Sequence, residues 1–274
     1  MILQKWGRCD THPVRLLNNS DDEQDTKLAD DYLLTYEGDC PICEAPTTFV
    51  SKDRWLRGGL TCRSCTNGSV PRERALAHVL NRVRPDWRDL TIHESSPASR
   101  GISLKMSDQC RNYTGSHYYP DKPFGEMVDG FRNESLDEQT FADESFDLVV
   151  TLDVFEHVFQ PGKMIKEIYR TLKPGGLYLC TFPIRKHQVT SHRPRVRKEA
   201  DGSLTHLDTV EIHGNPVSGD GALVTFDYGY DIHNMLAYWV PFEVEISRFN
   251  IRRLGILGEY TEVITCEKPK GEAR

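Results

Sequence analysis

Long apolar runs, a signal peptide and an excess of basic residues are all missing from this sequence. No stretch approaches the roughly 18 consecutive apolar residues of a transmembrane helix. The opening segment, MILQKWGRCDTHPVRLL, lacks the apolar core and the small-residue cleavage site of a signal peptide. With 34 Lys and Arg against 41 Asp and Glu, the net charge is −7. That balance disfavours a dedicated nucleic-acid or anionic-membrane binder, and we expect a cytoplasmic protein with no membrane span.

The chain divides into three segments by composition. Apolar residues make up 38% of it and charged residues 27%, a balance that predicts a packed core. Residues 18–31 are acidic and nearly free of large apolar side chains, which is typical of a solvated linker. We predict an N-terminal arm and acidic linker over 1–38, a cysteine unit over 39–70 and a larger domain over 71–274. Regular patterning fails over about 184–225, which predicts a long insertion.

The cysteine unit has the spacing of a metal site. CPIC supplies Cys40 and Cys43, and CRSC supplies Cys62 and Cys65, with 18 residues between the two pairs. Each Cys-x-x-Cys can span one edge of the tetrahedron that Zn²⁺ prefers, so we predict a four-cysteine zinc site. Four thiolates leave no position for water, which makes the predicted zinc structural. The alternative is four free thiols, or a site that no longer holds metal.

The larger domain alternates predicted helices and strands. RERALAHVLNRV and PGKMIKEIYRTL carry apolar residues at helical spacing. LTIHE and LYLCTFP are short strand candidates, and FDLVVTL is the continuous apolar run expected of a strand buried on both faces. FEVEISRFN and YTEVITCEK look like a closing pair of strands. Repeated strand–helix–strand units predict an α/β fold with a mostly parallel sheet and helices on both faces.

One segment carries a family resemblance. NESLDEQTFADESFDLVVTLDVFEHVFQPGKMIKEIYRTLKPGGLYLCTFP resembles the class I S-adenosylmethionine (SAM)-dependent methyltransferases over about residues 90–183. The resemblance implies a Rossmann-like, doubly wound sheet with SAM bound at the carboxyl ends of the strands. A cysteine unit ahead of this domain, with HESSP and HGNP, also resembles a subgroup found with sugar and polysaccharide genes.

The resemblance assigns the first cofactor loop to TIHESSPASRG. Glu94 occupies the acidic position that ends the first strand, where it would orient the loop. Ser95 and Ser96 stand where the family has small residues and glycines, so the glycine-rich turn is missing. Serine costs more than glycine wherever such a loop needs a positive φ. The alternative role for Glu94 is to cap the following helix.

Later loops supply the other implied cofactor contacts. His117 falls where the family carries an acidic residue for the ribose, which is a departure, and it could instead be a surface turn residue. Glu134 and Ser135 match the polar pair that contacts adenine. Leu152 follows the central strand and would flank the cofactor.

Three residues are candidates for the chemistry at the methyl acceptor. His213 lies in the insertion that would cover the acceptor, and it is the first candidate for a general base. Asp153 is the second, and it could also orient a histidine. His157 follows Glu156 on the predicted helix after the central strand, where a structural role in the cofactor pocket is the favoured alternative. Arginines of the insertion could bind a phosphate or carboxylate of the substrate, or form a solvated loop; they are Arg185, Arg193, Arg195 and Arg197.

Three classes of function remain open. The first is SAM-dependent O-methylation of a small hydroxylated metabolite such as a sugar or nucleotide-sugar. The second is methylation of RNA or protein, with the zinc unit binding the macromolecule, although no Asn-Pro-Pro-Tyr-like motif of amino-group methyltransferases follows the central strand. The third is a non-catalytic binding module, which the missing glycines favour. The sequence leaves the oligomeric state open.

Overall fold

A computed structural model describes residues 32–190, 193–215, 217 and 219–271. The acidic linker predicted over 18–31 therefore lies outside the described residues, as do Cys9 and His192. Within the described part of the chain, no helix has the length and apolar character needed to cross a membrane.

The described residues form helices and strands in alternation, and the helices and strands expected of the larger domain are confirmed. The helices are α1 (Leu56–Gly59), α2 (Pro71–Val83), α3 (Gly101–Gln109), α4 (Pro161–Thr171) and α5 (Ile232–Trp239). The strands are β1 (Leu34–Cys40), β2 (Ala45–Ser51), β3 (Thr61–Cys62), β4 (Thr91–Ser95), β5 (Asn112–His117), β6 (Met127–Val128), β7 (Phe131–Asn133), β8 (Phe146–Leu152), β9 (Leu172–Thr181), β10 (Arg193–Pro194), β11 (Val196–Lys198), β12 (Leu204–His206), β13 (Ile212–His213), β14 (Ala222–Leu223), β15 (Phe226–Asp227), β16 (Glu243–Ser247) and β17 (Val263–Glu267).

An eight-stranded sheet organises the larger domain, in the order β16-β17-β9-β8-β4-β5-β7-β6. Strands β9, β8, β4, β5 and β7 are parallel, and β16, β17 and β6 pair antiparallel at the two edges. The Rossmann-like, mostly parallel fold is therefore confirmed. The chain moves outward from β4 through β5 and β7, then returns to the other side of β4 at β8. This reversal places the expected ligand crevice at the carboxyl ends of β4, β5 and β8.

The cysteine unit shares its core with the larger domain. Strands β1, β2 and β3 form a separate antiparallel sheet, but Phe49 and Leu60 belong to the same buried cluster as Leu76 and Leu80 of α2. Arg74 of α2 is fully buried at this junction and donates hydrogen bonds to the carbonyl oxygens of residues 60, 69 and 255. Because a buried guanidinium needs acceptors, these bonds hold three segments of chain together.

One local expectation was wrong. Glu156 and His157 lie in a short 3₁₀ turn, Phe155–His157, and α4 begins only at Pro161. The segment ALVTFDYGYDI forms β14 and β15 and leads into α5. The insertion as a whole consists of short antiparallel pairs, β10 with β15, β11 with β12 and β13 with β14. Strands this short follow no periodicity that a sequence pattern could reveal.

Glu94 lies fully buried near the end of β4. Its carboxyl group accepts hydrogen bonds from the Ser103 hydroxyl of α3 at 2.5 Å and from the Tyr113 hydroxyl of β5 at 2.8 Å. Burial raises the pKa of Glu94 to about 7, although both hydrogen bonds act in the opposite direction. The side chain therefore joins β4, α3 and β5 from beneath the first loop.

The raised pKa of Glu94 predicts a pH-dependent stability. An unfolded glutamate titrates near 4.3, so the folded chain holds this proton more tightly than the unfolded chain between about pH 4 and pH 7. The free energy of unfolding should therefore fall as pH rises through this window, by an amount on the order of 3 kcal/mol. Glu94→Gln should flatten the fall, as measured by urea unfolding at pH 5, 6 and 7.5.

A matched variant tests the assignment. Glu37→Gln removes an exposed carboxylate of β1 that accepts a hydrogen bond from Thr48, and it should leave the slope unchanged. An unaltered slope in Glu94→Gln would show that this carboxyl group does not titrate in the window.

Candidate active site

A cavity of about 370 Å³ lies at the carboxyl ends of β4, β5, β7 and β8. Its volume falls in the range of small-molecule sites, about 300–1,000 Å³. A larger open groove of about 880 Å³ lies at another face, beside Asp147 and Glu267, and predicted site residues are not among those that line it. The cavity near the strand ends is lined from the sheet by Ser95, Ser96, His117, Glu134, Ser135, Asp153 and His157, and from the insertion by Lys198, Gly214, Asn215, Val217, Ala222 and Leu223.

The first loop reaches the cavity through its serines. Ser96 adopts φ +57°, the left-handed conformation in which glycine is the ordinary choice, and its amide donates to the carbonyl oxygen of residue 116 at 2.7 Å. Gly101 has φ +58°, and a Cβ there would overlap an Oε atom of Glu73. Both the positive φ and the close approach of Glu73 therefore favour glycine at this position. Glu94 supports the loop from below and does not line the cavity.

His117 and Glu134 stand side by side on the cavity wall. His117 is buried with its ring 4.4 Å from that of Phe131, and burial lowers its pKa, so the imidazole is neutral near pH 7. A neutral imidazole can donate a hydrogen bond to a hydroxyl group or accept one from it. Glu134 is already committed to the protein, since its carboxylate accepts from Arg132 at 2.6 Å and from both the amide and the hydroxyl of Thr140.

Two further predicted contacts differ in their position. Ser135 lines the cavity, and its hydroxyl donates to Asp137. Leu152 ends β8 and packs against the buried cluster that the cysteine unit shares with α2, and it does not line the cavity.

Asp153 is held by two arginines from the N-terminal part of the chain. Its carboxylate lies 2.7 Å from Arg57 Nη2 and 2.8 Å from Arg72 Nε, and it accepts from the Thr181 hydroxyl at 3.1 Å. Burial acts to raise the pKa of Asp153, but the two guanidinium groups outweigh it, and the pKa is lowered. A carboxylate neutralised in this way is a weak proton acceptor. The geometry favours an anchoring role for Asp153 over a role as base.

A second polar cluster joins the 3₁₀ turn to the insertion. His213 Nδ1 lies 3.5 Å from Glu156 Oε1, and His157 Nε2 lies 3.8 Å from the same atom. Proximity to the Glu156 carboxylate raises the pKa of His213, against the effect of its partial burial. His157 lines the cavity, as do Gly214 and Asn215, the residues that follow His213. The structure thus brings together two of the histidines that the sequence singles out.

The arginines of the insertion are paired with carboxylates. Arg185 binds Asp227 at 2.7 Å and Glu211 at 2.5 Å, and Arg195 binds Asp227 at 3.0 Å. The two others pair with neighbours on the insertion, Arg193 with Asp208 and Arg197 with Glu199. His187 and His206 are exposed. Acidic residues therefore pair with these four arginines in the fold, which weakens the case that the insertion binds phosphate.

Arg57 and Arg72 belong to this site although no sequence pattern pointed to them. Arg57 lies in the predicted cysteine unit, 96 positions before the aspartate that it binds. A contact at that separation leaves no local pattern. In the sequence, Glu156 is notable only as the neighbour of His157. Its contact with His213 forms only when the insertion folds against the 3₁₀ turn.

The four predicted zinc ligands converge. Cys40 Sγ lies 3.6 Å from Cys65 Sγ, and Cys43 Sγ lies 3.9 Å from Cys62 Sγ. All four sulfur atoms lie within 4.8 Å of one another, and no disulfide joins these thiols. A Zn–S distance of about 2.3 Å implies sulfur separations of about 3.8 Å in a tetrahedron, so the donor set fits Zn²⁺.

Comparison with known proteins agrees with the fold. Residues 102–180 match a family model described as a methyltransferase domain. An uncharacterized methyltransferase of Mycobacterium tuberculosis is 29% identical over 80 residues, 29% of this chain and 32% of that protein. The ubiquinone biosynthesis O-methyltransferase of Cereibacter sphaeroides is 37% identical over 51 residues, 19% of this chain and 21% of that protein.

Among solved structures, a SAM-dependent methyltransferase from Mesorhizobium loti superposes with a TM-score of 0.46 and 14% identity, covering 70% of this chain and 97% of that one. The chain spans about a fifth to a third of the length of the curated relatives it matches. The family match covers α3 to β9, and the insertion that lines the other side of the cavity lies outside it. Over residues 102–180 the chain is therefore similar to methyltransferase domains, and its fold is that of the class I SAM-dependent enzymes.

Proposed function

We propose that this protein transfers the methyl group of SAM to a hydroxyl oxygen of a small metabolite. The cavity carries the proposal, because it lies at the strand ends where the superfamily's topology expects a ligand and is lined on the other side by the insertion. A cavity of this size suits a small acceptor better than a folded macromolecule. The matched relative named as an O-methyltransferase supports oxygen as the methylated atom.

The reaction asks two things of the protein. The acceptor oxygen attacks the methyl carbon, the carbon–sulfur bond breaks, and its electron pair stays on sulfur as S-adenosylhomocysteine. The hydroxyl proton must leave, and the cavity must align the oxygen with the methyl group. Serines of the first loop and His117 would hold the cofactor. Asp153 would fix the end of β8 beside it. The hydroxyl proton would pass to the cluster of Glu156, His157 and His213.

A sugar or nucleotide-sugar is the acceptor class that we favour. The cavity offers several short polar side chains together with Val217 and Leu223, a mixture suited to hydroxyl groups on an apolar ring face. The resemblance to methyltransferases of polysaccharide gene clusters points the same way. The pairing of the insertion's arginines removes the main argument for RNA, since neutralised arginines offer little to a phosphate backbone.

Turnover should depend on His213 more than cofactor binding does. In a screen of nucleotide-sugars, free sugars and total RNA with SAM, we expect methyl transfer to one of the sugar classes. His213→Ala should slow that transfer by about 10²–10⁴-fold, while calorimetry shows SAM binding within about threefold of the parent. The physical reason is that His213 itself does not line the cavity but lies beside Glu156, next to Gly214 and Asn215 of the insertion, which do.

The exposed His206, on β12, provides the control. His206→Ala should retain both turnover and SAM binding. Full turnover in His213→Ala would refute the role of this histidine. Absence of SAM binding by the parent protein at millimolar cofactor would refute the proposed activity itself and favour a non-catalytic module.

We also propose that the four cysteines bind one structural Zn²⁺. Cys40, Cys43, Cys62 and Cys65 supply the donors, and the Thr47 hydroxyl lies 3.3 Å from Cys62 Sγ, where it can support the thiolate. Burial by itself would not stabilise a segment this small, so the ion would supply much of its folding energy. The shared core would then pass that stability to the larger domain.

Loss of one cysteine should remove one equivalent of zinc. Cys43→Ser should lower the zinc content by one per chain, measured by elemental analysis, and lower the melting temperature by about 5–10 °C. Adding a chelator should lower the melting temperature of the parent but should have a smaller effect on the variant. Equal zinc content in the two proteins would contradict the site.

A further inference from the structure

Glu156, His157 and His213 point one ligand atom each toward a common centre. Their nearest atoms lie within 4.8 Å of one another, and the two imidazoles approach Glu156 Oε1 to 3.5 Å and 3.8 Å. A divalent ion with bonds of about 2.0–2.1 Å in tetrahedral geometry separates its ligands by about 3.4 Å. Small side-chain movements would therefore seat an ion among the three.

The outer nitrogen of each imidazole already has a partner. His157 Nδ1 lies 2.8 Å from the carbonyl oxygen of Leu223, and His213 Nε2 lies 3.1 Å from Glu211 Oε1. Glu211 is held in turn by Arg185 and Arg195. These bonds place the N–H on the outward nitrogen of each ring and leave the inward nitrogen, which faces Glu156, with its lone pair. Metal-binding histidines are oriented in this way by a carbonyl or a carboxylate.

Apart from the two imidazoles, which carry a positive charge only when protonated, no cation is bonded to Glu156 among the described residues. Its side chain is 2% exposed, and both carboxylate oxygens are buried without a hydrogen-bond partner among the described residues. Arg57 interacts with it electrostatically, but that guanidinium donates its hydrogen bonds to Asp153 and to the carbonyl oxygen of Tyr260. Leaving a carboxylate buried and unpaired is costly, so a cation at this point would remove a large penalty.

We propose that Glu156, His157 and His213 bind a divalent transition-metal ion at the acceptor end of the cavity. Two imidazoles and one carboxylate suit Zn²⁺ or Fe²⁺, and three protein ligands leave coordination positions open. His157 lines the cavity, so an open position can face the acceptor. This site is separate from the four cysteines, whose thiolates would fill their own ion's coordination.

The catalytic role of this ion deepens the proposed methyl transfer and rests on it. A metal ion at this point would bind the acceptor hydroxyl and lower its pKa, which eases loss of the proton. The two histidines would then act as neutral ligands, and His213 would contribute to turnover by holding the ion. Metal binding itself can be measured without any acceptor.

The test adds Co²⁺ to protein whose cysteine site is already loaded with zinc. Calorimetry should show one further equivalent of Co²⁺ bound per chain, and added Zn²⁺ should compete for it. Glu156→Gln and His213→Ala should weaken Co²⁺ binding by more than about 100-fold, because each loses a ligand. Glu211→Gln should weaken it by about 10–100-fold, because it loosens the orientation of His213.

His206→Ala is the matched control, since it removes an exposed insertion histidine outside the cluster, and it should bind Co²⁺ as the parent does. SAM binding, measured on every variant, reports whether the cavity is still folded. The proposal fails if the parent takes up no further equivalent, or if folded Glu156→Gln and His213→Ala bind Co²⁺ unchanged. One bound equivalent without methyl transfer to any acceptor would support the metal site and count against the proposed function. Full turnover in protein that carries zinc at the cysteine site alone would support the proposed function and count against the second metal site.

Discussion

The ion pairs of Asp153 with Arg57 and Arg72 are the constraint on which the site depends. They join the carboxyl end of β8 to the region that contains the cysteines, and they act in a place largely removed from water. Removing one member of such a buried pair leaves an uncompensated charge, at a cost of several kcal/mol. The direction in which the chain leaves β8 is therefore determined by residues that lie much earlier in the sequence. The 3₁₀ turn with Glu156 and His157 follows directly from that point.

The cavity then has two chemically different ends. At the sheet side stand Ser95, Ser96 and His117, short polar groups suited to a charged cofactor with hydroxyls. Near the insertion lies the cluster of Glu156, His157 and His213, whose imidazoles are bonded to the carbonyl oxygen of Leu223 and to Glu211. The proposed zinc contributes at a distance, through Arg57 and the core that the cysteine unit shares with α2. The arrangement separates cofactor binding from acceptor chemistry while connecting both to the same strand.

Much of the fold could be predicted because its signals are local. The apolar run of FDLVVTL and the helical spacing before KPGG give β8, α4 and β9, and the two Cys-x-x-Cys pairs indicate the convergence of four sulfurs. The ion pairs of Asp153 could not be predicted, because nothing in the sequence around Arg57 and Arg72 indicates a partner so far along the chain. The neutralisation of Arg185 and Arg195 was hidden for the same reason, since Asp227 lies beyond the insertion. His213 could be singled out by its setting, but its approach to Glu156 required the insertion's short strand pairs.

Ser96 carries a consequence for how such loops tolerate change. Its backbone has the left-handed conformation at a cost of order 1 kcal/mol for a residue other than glycine, whereas Gly101 faces the Glu73 carboxylate and has no room for a side chain. Ser96 is strained yet is a serine, whereas a Cβ at Gly101 would overlap the Glu73 carboxylate. Replacement of glycine is therefore tolerated at position 96 and disfavoured at position 101. A side chain at position 101 should therefore destabilise this loop more than the serine at position 96 does.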